Sequence, residues 1–212
     1  MPGVVEFYFD YGSPYTYVAH KRLPEVLRRT GGEARYRIML LGGIFQLTGN
    51  ASPAMNPLKW PNSQRDLQRY VAKYQVPFRR NPHFPVNTLK AMRGAVVAEA
   101  QGFLPRYTDA LFTAMWRDGE KLDDDAVLTR VLAAAGIDAA AVLARIADDA
   151  VKQTLKSHTE AAAKRGVFGA PTFFVDDEMF FGQDRLDLVE DALNGRSYLR
   201  PPPSPPPRAG EG

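Results

Sequence analysis

The sequence has no cysteine among its 212 residues. This absence excludes structural disulfides, zinc sites with thiolate ligands, iron–sulfur clusters and any thiol nucleophile or dithiol redox pair carried by the chain. A protein of this composition cannot exchange disulfides by itself. Any sulfur chemistry performed here therefore needs a thiol that comes from outside the chain.

An excess of charge of one sign is also missing. The 27 Lys and Arg residues nearly balance the 24 Asp and Glu residues, which leaves a formal charge of +3. This charge is too small and too dispersed to indicate a nucleic-acid surface. No apolar run approaches the roughly 20 residues that a membrane-spanning helix needs, and no basic leader precedes the first strand. We therefore expect a cytoplasmic protein with neither a nucleic-acid partner nor a membrane partner.

Motifs for metal and nucleotide chemistry are absent too. The three histidines, His20, His83 and His158, are scattered without the spacing of metal ligands, so we expect no metal site. The sequence has no nucleophile elbow, no P-loop and no dinucleotide-binding glycine motif after a strand, which argues against hydrolase, NTPase and dinucleotide-binding functions. Hydrophobic residues make up 45% of the chain, enough for a folded core.

The first 42 residues have the pattern of a β-α-β unit. Alternating apolar residues predict a strand over residues 4–10, and Ser13 and Pro14 are suited to be the N-cap and first residue of the following helix. Pro24 lies inside that helix and predicts a kink or a break. Residues 35–41 read as a second strand, most simply joined by a right-handed parallel crossover.

The middle of the chain, residues 43–164, reads as an all-helical insertion. Helices are predicted near residues 63–74, 88–100, 107–116, 124–135 and 138–164. Ser63 and Asp66 resemble a capping box at the start of the first of these helices.

The strand pattern returns after the insertion. Residues 172–175 and 179–181 predict an antiparallel hairpin, and a closing helix is expected over 184–193. Residues 197–212 contain six of the 17 prolines and predict a disordered proline-rich tail.

Ser13 is the first candidate for a functional residue. It lies between the end of a strand and the start of a helix, where free N–H groups and the helix dipole favour an anion. A thiolate at this position would be stabilised. The alternative, which the local sequence favours, is that Ser13 only caps the helix.

Two further turns have the same ambiguity. At Ala170–Pro171 the local sequence favours a trans bond that starts a strand, whereas a cis bond would expose the backbone of Ala170 to an extended peptide-like ligand. In residues 181–184, main-chain donors and the Gln183 amide suit a carboxylate, and Asp184 suits an ammonium group. Alternatively, Asp184 only caps the closing helix.

Three stretches together resemble one protein family. They are FYFDYGSPYTYVA at 7–19, TGNASPAMNPLKWP at 48–61 and GVFGAPTFFVDDEMFFGQDRL at 166–186. In this order they resemble the kappa-class glutathione transferase and 2-hydroxychromene-2-carboxylate isomerase family, relatives of the disulfide oxidoreductase DsbA. The similarity extends from Val4 to about Leu193.

The resemblance implies an α/β, thioredoxin-like fold with a large all-helical insertion. Residues 1–42 and 165–196 would form a discontinuous thioredoxin-like domain around the insertion of residues 43–164. Homodimers are common in this family, so a homodimer is also implied. The tail has no counterpart in the family pattern.

The resemblance also implies reduced glutathione as the cofactor, with Ser13 in place of the cysteine of the redox relatives. It implies a cis Pro171 and pairing of the Ala170 backbone with the cysteinyl part of glutathione. The γ-glutamyl end would be held by Phe181, Gly182, Gln183 and Asp184. Gln183 departs from the family, whose members often have Asn or Ser there.

The loop before the first insertion helix supplies the remaining residues that the resemblance implies. Asn50 and Lys59 match the loop over the active site, and Asn56 and Lys59 match positions that face the substrate. Lys59 would contact a glycyl carboxylate or an acidic substrate. On its own, however, a lysine in a loop is more often a solvated surface charge.

The implied function is a glutathione-dependent isomerase that acts in the catabolism of aromatic compounds. Thiolate addition would open the ring of 2-hydroxychromene-2-carboxylate and yield trans-o-hydroxybenzylidenepyruvate without net redox change. One alternative is a kappa-class-like transferase that conjugates glutathione to electrophiles. Another is a thioredoxin-fold module that binds a ligand without catalysis.

Overall fold

A computed structural model describes residues 2–199 and places a four-stranded sheet at the centre of the fold. The strands are β1 (Val4–Phe9), β2 (Glu33–Ile38), β3 (Thr172–Val175) and β4 (Glu178–Phe181). Their order is β2-β1-β3-β4, with β1 and β2 parallel and the other pairs antiparallel. This arrangement confirms the predicted β-α-β unit and the C-terminal hairpin.

Helix α1 (Pro14–Thr30) makes the crossover between the two parallel strands. Its buried face includes Tyr17, Val18 and Leu23, which pack on the sheet. The helix continues through Pro24, so the predicted break is wrong. Pro24 lies on the exposed face of the helix, where its ring and its missing N–H do not disturb the packed side.

The second strand was predicted too late in the sequence. It ends at Ile38, and Leu41 is already the first residue of helix α2 (Leu41–Thr48), which the hydrophobic pattern did not reveal. The Leu41 N–H donates to the Asp10 carboxylate at 2.8 Å, and this bond starts the helix. Local periodicity contains no information about such a long-range cap.

The insertion, all of which lies within the described residues, contains helices and loops and no strand, in agreement with the predicted helical insertion. After α2 it contains α3 (Lys59–Tyr74), α4 (Leu89–Ala100), α5 (Leu104–Thr113), α6 (Asp125–Ala134), α7 (Ala139–Arg145) and α8 (Asp149–Lys164). A 3₁₀ turn (Pro53–Met55) precedes α3, and a π-helical turn (Ala114–Asp118) follows α5. After the hairpin, a 3₁₀ turn (Gln183–Arg185) leads into α9 (Leu186–Leu193).

Three helix assignments in the insertion differ from the prediction. Helix α5 begins at Leu104, three residues before the predicted start at residue 107, and ends at Thr113 before the π-helical turn. Helix α3 begins at Lys59 and not at Ser63, because the Asn56 side chain accepts hydrogen bonds from the Leu58 and Lys59 N–H groups. The single helix predicted over 138–164 is divided into α7 and α8. Extended backbone at Asp148, with φ −62° and ψ 136°, separates them.

The sheet and the insertion share one hydrophobic core. Phe7 of β1 stacks on Phe173 of β3 with ring centroids 5.1 Å apart, and Phe9 of β1 meets Phe112 of α5 at 6.1 Å. The Trp116 indole N–H donates to the Tyr11 carbonyl at 2.7 Å. These contacts fix the position of the insertion over the ends of the strands.

Three further predictions concern the C-terminal tail, membrane-spanning helices and metal sites. Residues 200–212, most of the predicted tail, lie outside the described residues. Within residues 2–199 no helix is both long and apolar enough to cross a bilayer. Among these described residues, no three or more His, Asp or Glu side chains form a group that could hold a metal ion.

Candidate active site

A cleft of about 1030 Å³ lies between the sheet and the insertion. It is bounded by the first turn of α1, the loop between α2 and α3, and the turns that flank the C-terminal hairpin. All ten residues that the sequence analysis selected line it: Ser13, Asn50, Asn56, Lys59, Ala170, Pro171, Phe181, Gly182, Gln183 and Asp184. The fold therefore brings three distant segments of the sequence together in one place.

Ser13 is the N-cap of α1 and is only 5% exposed. Its Oγ accepts from the Thr16 N–H at 3.2 Å and donates to the Ala170 carbonyl oxygen at 3.1 Å. The first turn of α1 contains no acidic residue, so no side-chain charge there offsets the positive end of the helix dipole. Ser13 is thus a helix cap and a cleft residue at once.

The segment that faces Ser13 enters strand β3. The Ala170–Pro171 peptide bond is cis, as the resemblance implied and contrary to the local expectation. The Pro171 carbonyl accepts from the Gly182 N–H at 2.9 Å, and Thr172 pairs with Phe181 across the hairpin. These bonds hold the two predicted glutathione-binding segments side by side.

The turn after β4 forms one end of the cleft. Gly182 has φ +102°, and a Cβ atom there would lie 2.5 Å from Asp184 Oδ1. The Asp184 carboxylate pairs with the Arg185 guanidinium. The alternative in which Asp184 caps the closing helix is wrong, because α9 begins at Leu186 without a side-chain cap.

The loop between α2 and α3 lies opposite this turn. Asn50 Nδ2 donates to the Phe168 carbonyl at 2.8 Å and so connects the loop to the segment before β3. The Asn56 Oδ1 is used to cap α3, which leaves its amide NH₂ for a ligand. Within residues 2–199, Lys59 has no carboxylate partner within ion-pair distance. Its ammonium group is therefore available to bind an anion.

Further aromatic residues line the rest of the cleft, and Tyr15, Trp60 and Phe84 among them were not predicted as site residues. Trp60 and Phe84 stack with an interplanar angle of 6° and a centroid distance of 5.9 Å, and the Arg80 guanidinium lies 5.8 Å from the Trp60 ring. Tyr15 donates to the Ser63 carbonyl at 2.9 Å. Tyr15 and Trp60 lie inside two of the stretches that carry the family resemblance, at 7–19 and 48–61, so the sequence could have indicated them. Phe84 lies outside these stretches, so the sequence contained no indication that it lines the cleft.

A buried carboxylate lies behind the wall of the cleft. Asp10 is 1% exposed and accepts three hydrogen bonds, from the Gly12 N–H at 2.7 Å, the Thr88 hydroxyl at 2.7 Å and the Leu41 N–H at 2.8 Å. Burial raises the pKa of Asp10 above its usual value, and the three hydrogen bonds oppose this shift. No functional role for Asp10 was predicted from the sequence.

Comparisons with known proteins agree with this geometry. A family profile described as a DSBA-like thioredoxin domain matches residues 4–194. The chain is 33% identical over 196 residues to a 2-hydroxychromene-2-carboxylate isomerase of Pseudomonas sp. (strain C18), with 91% of each protein covered. It is 30% identical over 216 residues to glutathione S-transferase kappa 1 of Rattus norvegicus, with 95% of each covered. A solved structure of a 2-hydroxychromene-2-carboxylate isomerase matches with a TM-score of 0.82 at 29% identity, over 91% of this chain and 95% of that one.

Proposed function

Because this chain belongs to the DSBA-like thioredoxin domain family, in the group of 2-hydroxychromene-2-carboxylate isomerases and kappa-class glutathione transferases, we propose that it is a glutathione-dependent isomerase. The proposed reaction opens the ring of 2-hydroxychromene-2-carboxylate to give trans-o-hydroxybenzylidenepyruvate. Three isomerases of this name are 31–33% identical to the chain over at least 90% of its length.

One observation carries the proposal. A serine hydroxyl lies at the N-terminus of α1, inside a large cleft, 3.1 Å from the Ala170 carbonyl. The chain has no cysteine, so this site cannot perform redox exchange by itself. A hydroxyl at a helix N-terminus is suited to hold an external thiolate.

The residues of the cleft fit glutathione, which has one thiol, two carboxylates and one ammonium group. The Lys59 ammonium suits the glycyl carboxylate, and the Asp184 carboxylate suits the γ-glutamyl ammonium. Gln183 adds an amide beside the Gly182 turn, where a second carboxylate can be held. Each charged end of the tripeptide thus has a group of complementary charge or polarity in the cleft.

When bound, glutathione would supply a thiolate nucleophile that adds reversibly to the conjugated ring carbon and is later released. The Ser13 hydroxyl would donate a hydrogen bond to the sulfur and keep its proton. In the structure that proton is directed at the Ala170 carbonyl, so the hydroxyl must rotate, which frees the carbonyl to accept from a peptide N–H. A free thiol titrates near pH 8.5, and lowering its pKa by about 2 units requires roughly 2.7 kcal/mol.

The aromatic half of the cleft would hold the substrate. Trp60 and Phe84 present a stacked apolar surface of suitable shape for a planar ring system. The Asn56 amide lies at the start of α3 and would orient the substrate carboxylate. The Lys59 ammonium is also at the start of α3 and would bind this carboxylate as the alternative to the glycyl carboxylate of glutathione. The substrate class that this arrangement favours is therefore a small aromatic acid.

Product analysis with less glutathione than substrate tests this proposal. We expect complete isomerisation of 2-hydroxychromene-2-carboxylate with all glutathione recovered, and a fall in kcat of about a hundredfold in Ser13→Ala, as for loss of one transition-state donor. Ser63→Ala removes another serine that lines the cleft and should stay within about twofold of wild type. Absence of isomerisation by the wild-type protein would refute the isomerase assignment and leave a transferase or a binding module.

A glutathione transferase is the second candidate, because the match to the rat kappa enzyme covers 95% of both proteins. In that case the same activated sulfur would attack an electrophile and glutathione would be consumed in proportion to product. The recovery of glutathione in the assay above therefore separates the two activities.

The remaining expectations stay predictions. They are the homodimer, the cytoplasmic location and the role in aromatic compound catabolism. None is needed for the chemistry proposed for the cleft.

A further inference from the structure

The Asp10 carboxylate joins three segments that meet behind Ser13. Gly12 belongs to the turn that leads into α1, Leu41 is the first residue of α2, and Thr88 directly precedes α4. Gly12 and Leu41 both line the cleft. The Ser13 N–H also donates to the Asp10 main-chain carbonyl, at 3.3 Å. One buried residue is therefore hydrogen-bonded to the turn that contains Ser13, to the start of α2 and to the residue before α4.

Only α2 lacks a local side-chain cap, since Ser13 caps α1 and the Leu89 N–H of α4 donates to Asn87 Oδ1. Leu40, the N-cap residue of α2, makes no side-chain cap bond, so the Asp10 carboxylate satisfies the Leu41 N–H instead. Thr88 occupies the N-cap position of α4, yet its hydroxyl is directed at Asp10 and not at its own helix. Asp10 thus caps α2 from a distance and also holds the Thr88 hydroxyl at the start of α4.

The contacts select a carboxylate over an amide. Two backbone N–H groups reach different oxygens of Asp10, Gly12 at Oδ1 and Leu41 at Oδ2. An asparagine would present its NH₂ group to one of these N–H donors in either orientation. An Asp10→Asn substitution therefore leaves at least one buried donor without an acceptor.

We propose that Asp10 is a positioning residue for Ser13, which holds the turn before α1, the start of α2 and Thr88 in the arrangement that aims the hydroxyl into the cleft. The proposal rests on the function proposed above, in which Ser13 stabilises a thiolate. Asp10 does not touch the ligand in this role. It acts through the Gly12 and Leu41 N–H groups.

A charge effect and a positioning effect have opposite signs in this site. An ionised Asp10 repels a nearby thiolate, so removing its charge lowers the pKa of bound thiol if Asp10 acts only as a charge. If Asp10 positions Ser13, the same substitution weakens the hydrogen bond to sulfur and raises the pKa of bound thiol. The direction of the change in Asp10→Asn separates the two roles.

The experiment compares three variants by two measurements. Asp10→Asn and Thr88→Val remove parts of the network, and Thr108→Val is the control, because it deletes an equally buried hydroxyl whose partner is the Tyr11 phenol. Amide hydrogen exchange at Gly12 and Leu41 is measured on the protein alone. The thiol pKa of bound glutathione is then measured by thiolate absorbance.

We expect exchange at Gly12 and Leu41 to accelerate at least about tenfold in Asp10→Asn and less in Thr88→Val, with no change in the control. We also expect the pKa of bound thiol to rise by about one unit in Asp10→Asn and less in Thr88→Val, while the Kd for glutathione stays within about threefold. A lower thiol pKa in Asp10→Asn, or one unchanged from wild type, would overturn the proposal.

The two measurements also separate this inference from the proposed function. If wild-type protein binds no glutathione, the proposed function fails, and the exchange data still report whether Asp10 fixes the turn. Normal glutathione binding and turnover with unchanged exchange at Gly12 and Leu41 would reject the role of Asp10 alone.

Discussion

At the scale of single residues, the site depends on positions where one atom more or less changes the geometry. Gly182 is such a position, since its backbone has φ +102° and ψ 151°, a region that residues with a Cβ rarely enter. It also lies against the Asp184 carboxylate. The turn that would bind the γ-glutamyl end therefore requires glycine.

Gly182→Ala should lower glutathione affinity about tenfold or more, because the added Cβ would lie 2.5 Å from Asp184 Oδ1. Gly195→Ala is the matched control: φ there is +78°, but a Cβ meets no atom within 4 Å. Titration calorimetry should show weaker binding only for the first variant. Equal Kd values for both variants would contradict the assignment of this turn to the γ-glutamyl end.

Sequence reasoning reached the polar residues of the site and Phe181, and it missed the other aromatic residues, Trp60 and Phe84 among them. Ser13 and Gly182 stand in turns whose residue types restrict the backbone locally, so the motif that contains them also predicts their place. The Trp60–Phe84 pair depends on how the 23 residues between them fold. The local sequence around either residue does not indicate that the two rings stack on each other.

At the scale of elements, one buried histidine joins a helix, a strand and the insertion. His20 of α1 accepts from the Tyr36 hydroxyl of β2 at Nδ1, at 2.9 Å, and its Nε2 lies 3.3 Å from Asp109 Oδ1 of α5. The neutral ring with a proton on Nε2 satisfies both contacts. Burial lowers the pKa of His20 below 6.5, so the folded state favours this neutral form.

Acidification should therefore weaken the fold through His20. An unfolded histidine titrates near 6.5 and the folded one at lower pH, so the unfolded state binds the proton first. Between pH 7.5 and 5.5 we expect the free energy of unfolding to fall by about 1 kcal/mol more in wild type than in His20→Phe. Urea unfolding at several pH values measures both slopes, and parallel slopes would contradict this account.

Element boundaries were predicted well only where the signal is local. The start of α1 follows from Ser13 and Pro14, and the structure agrees. The starts of α2 and α3 depend on side chains outside the N-cap position. Asp10 is remote in sequence from α2, and Asn56 lies two residues before Leu58, the N-cap residue of α3. A pattern of apolar residues does not report such bonds.

At the scale of the whole molecule, the cleft exists because a helical insertion lies over the ends of the strands of a small sheet. The order of motifs along the chain predicted this architecture, since strand, Ser-Pro helix, insertion and hairpin follow one another as in the family. The relative position of the two parts was not predictable in the same way. It is set by contacts such as the bond from the Trp116 indole to the Tyr11 carbonyl.

The shared core also explains why the site combines residues from so many segments. Ser13 and Ala170 come from the two parts of the discontinuous sheet region, 157 residues apart in sequence, yet their side chain and backbone are hydrogen-bonded. Lys59 and Trp60 come from the insertion. Binding and chemistry therefore require both parts of the molecule to be folded together.

The most direct test of the central claim is the thiol pKa of glutathione bound to the wild-type protein and to Ser13→Ala, measured by thiolate absorbance against pH. We expect the wild-type complex to titrate about 2 units below free thiol, near pH 6.5, and the variant complex at least about 1 unit higher than wild type. Superimposed titration curves for the two proteins, or a wild-type curve that matches free glutathione, would contradict the account.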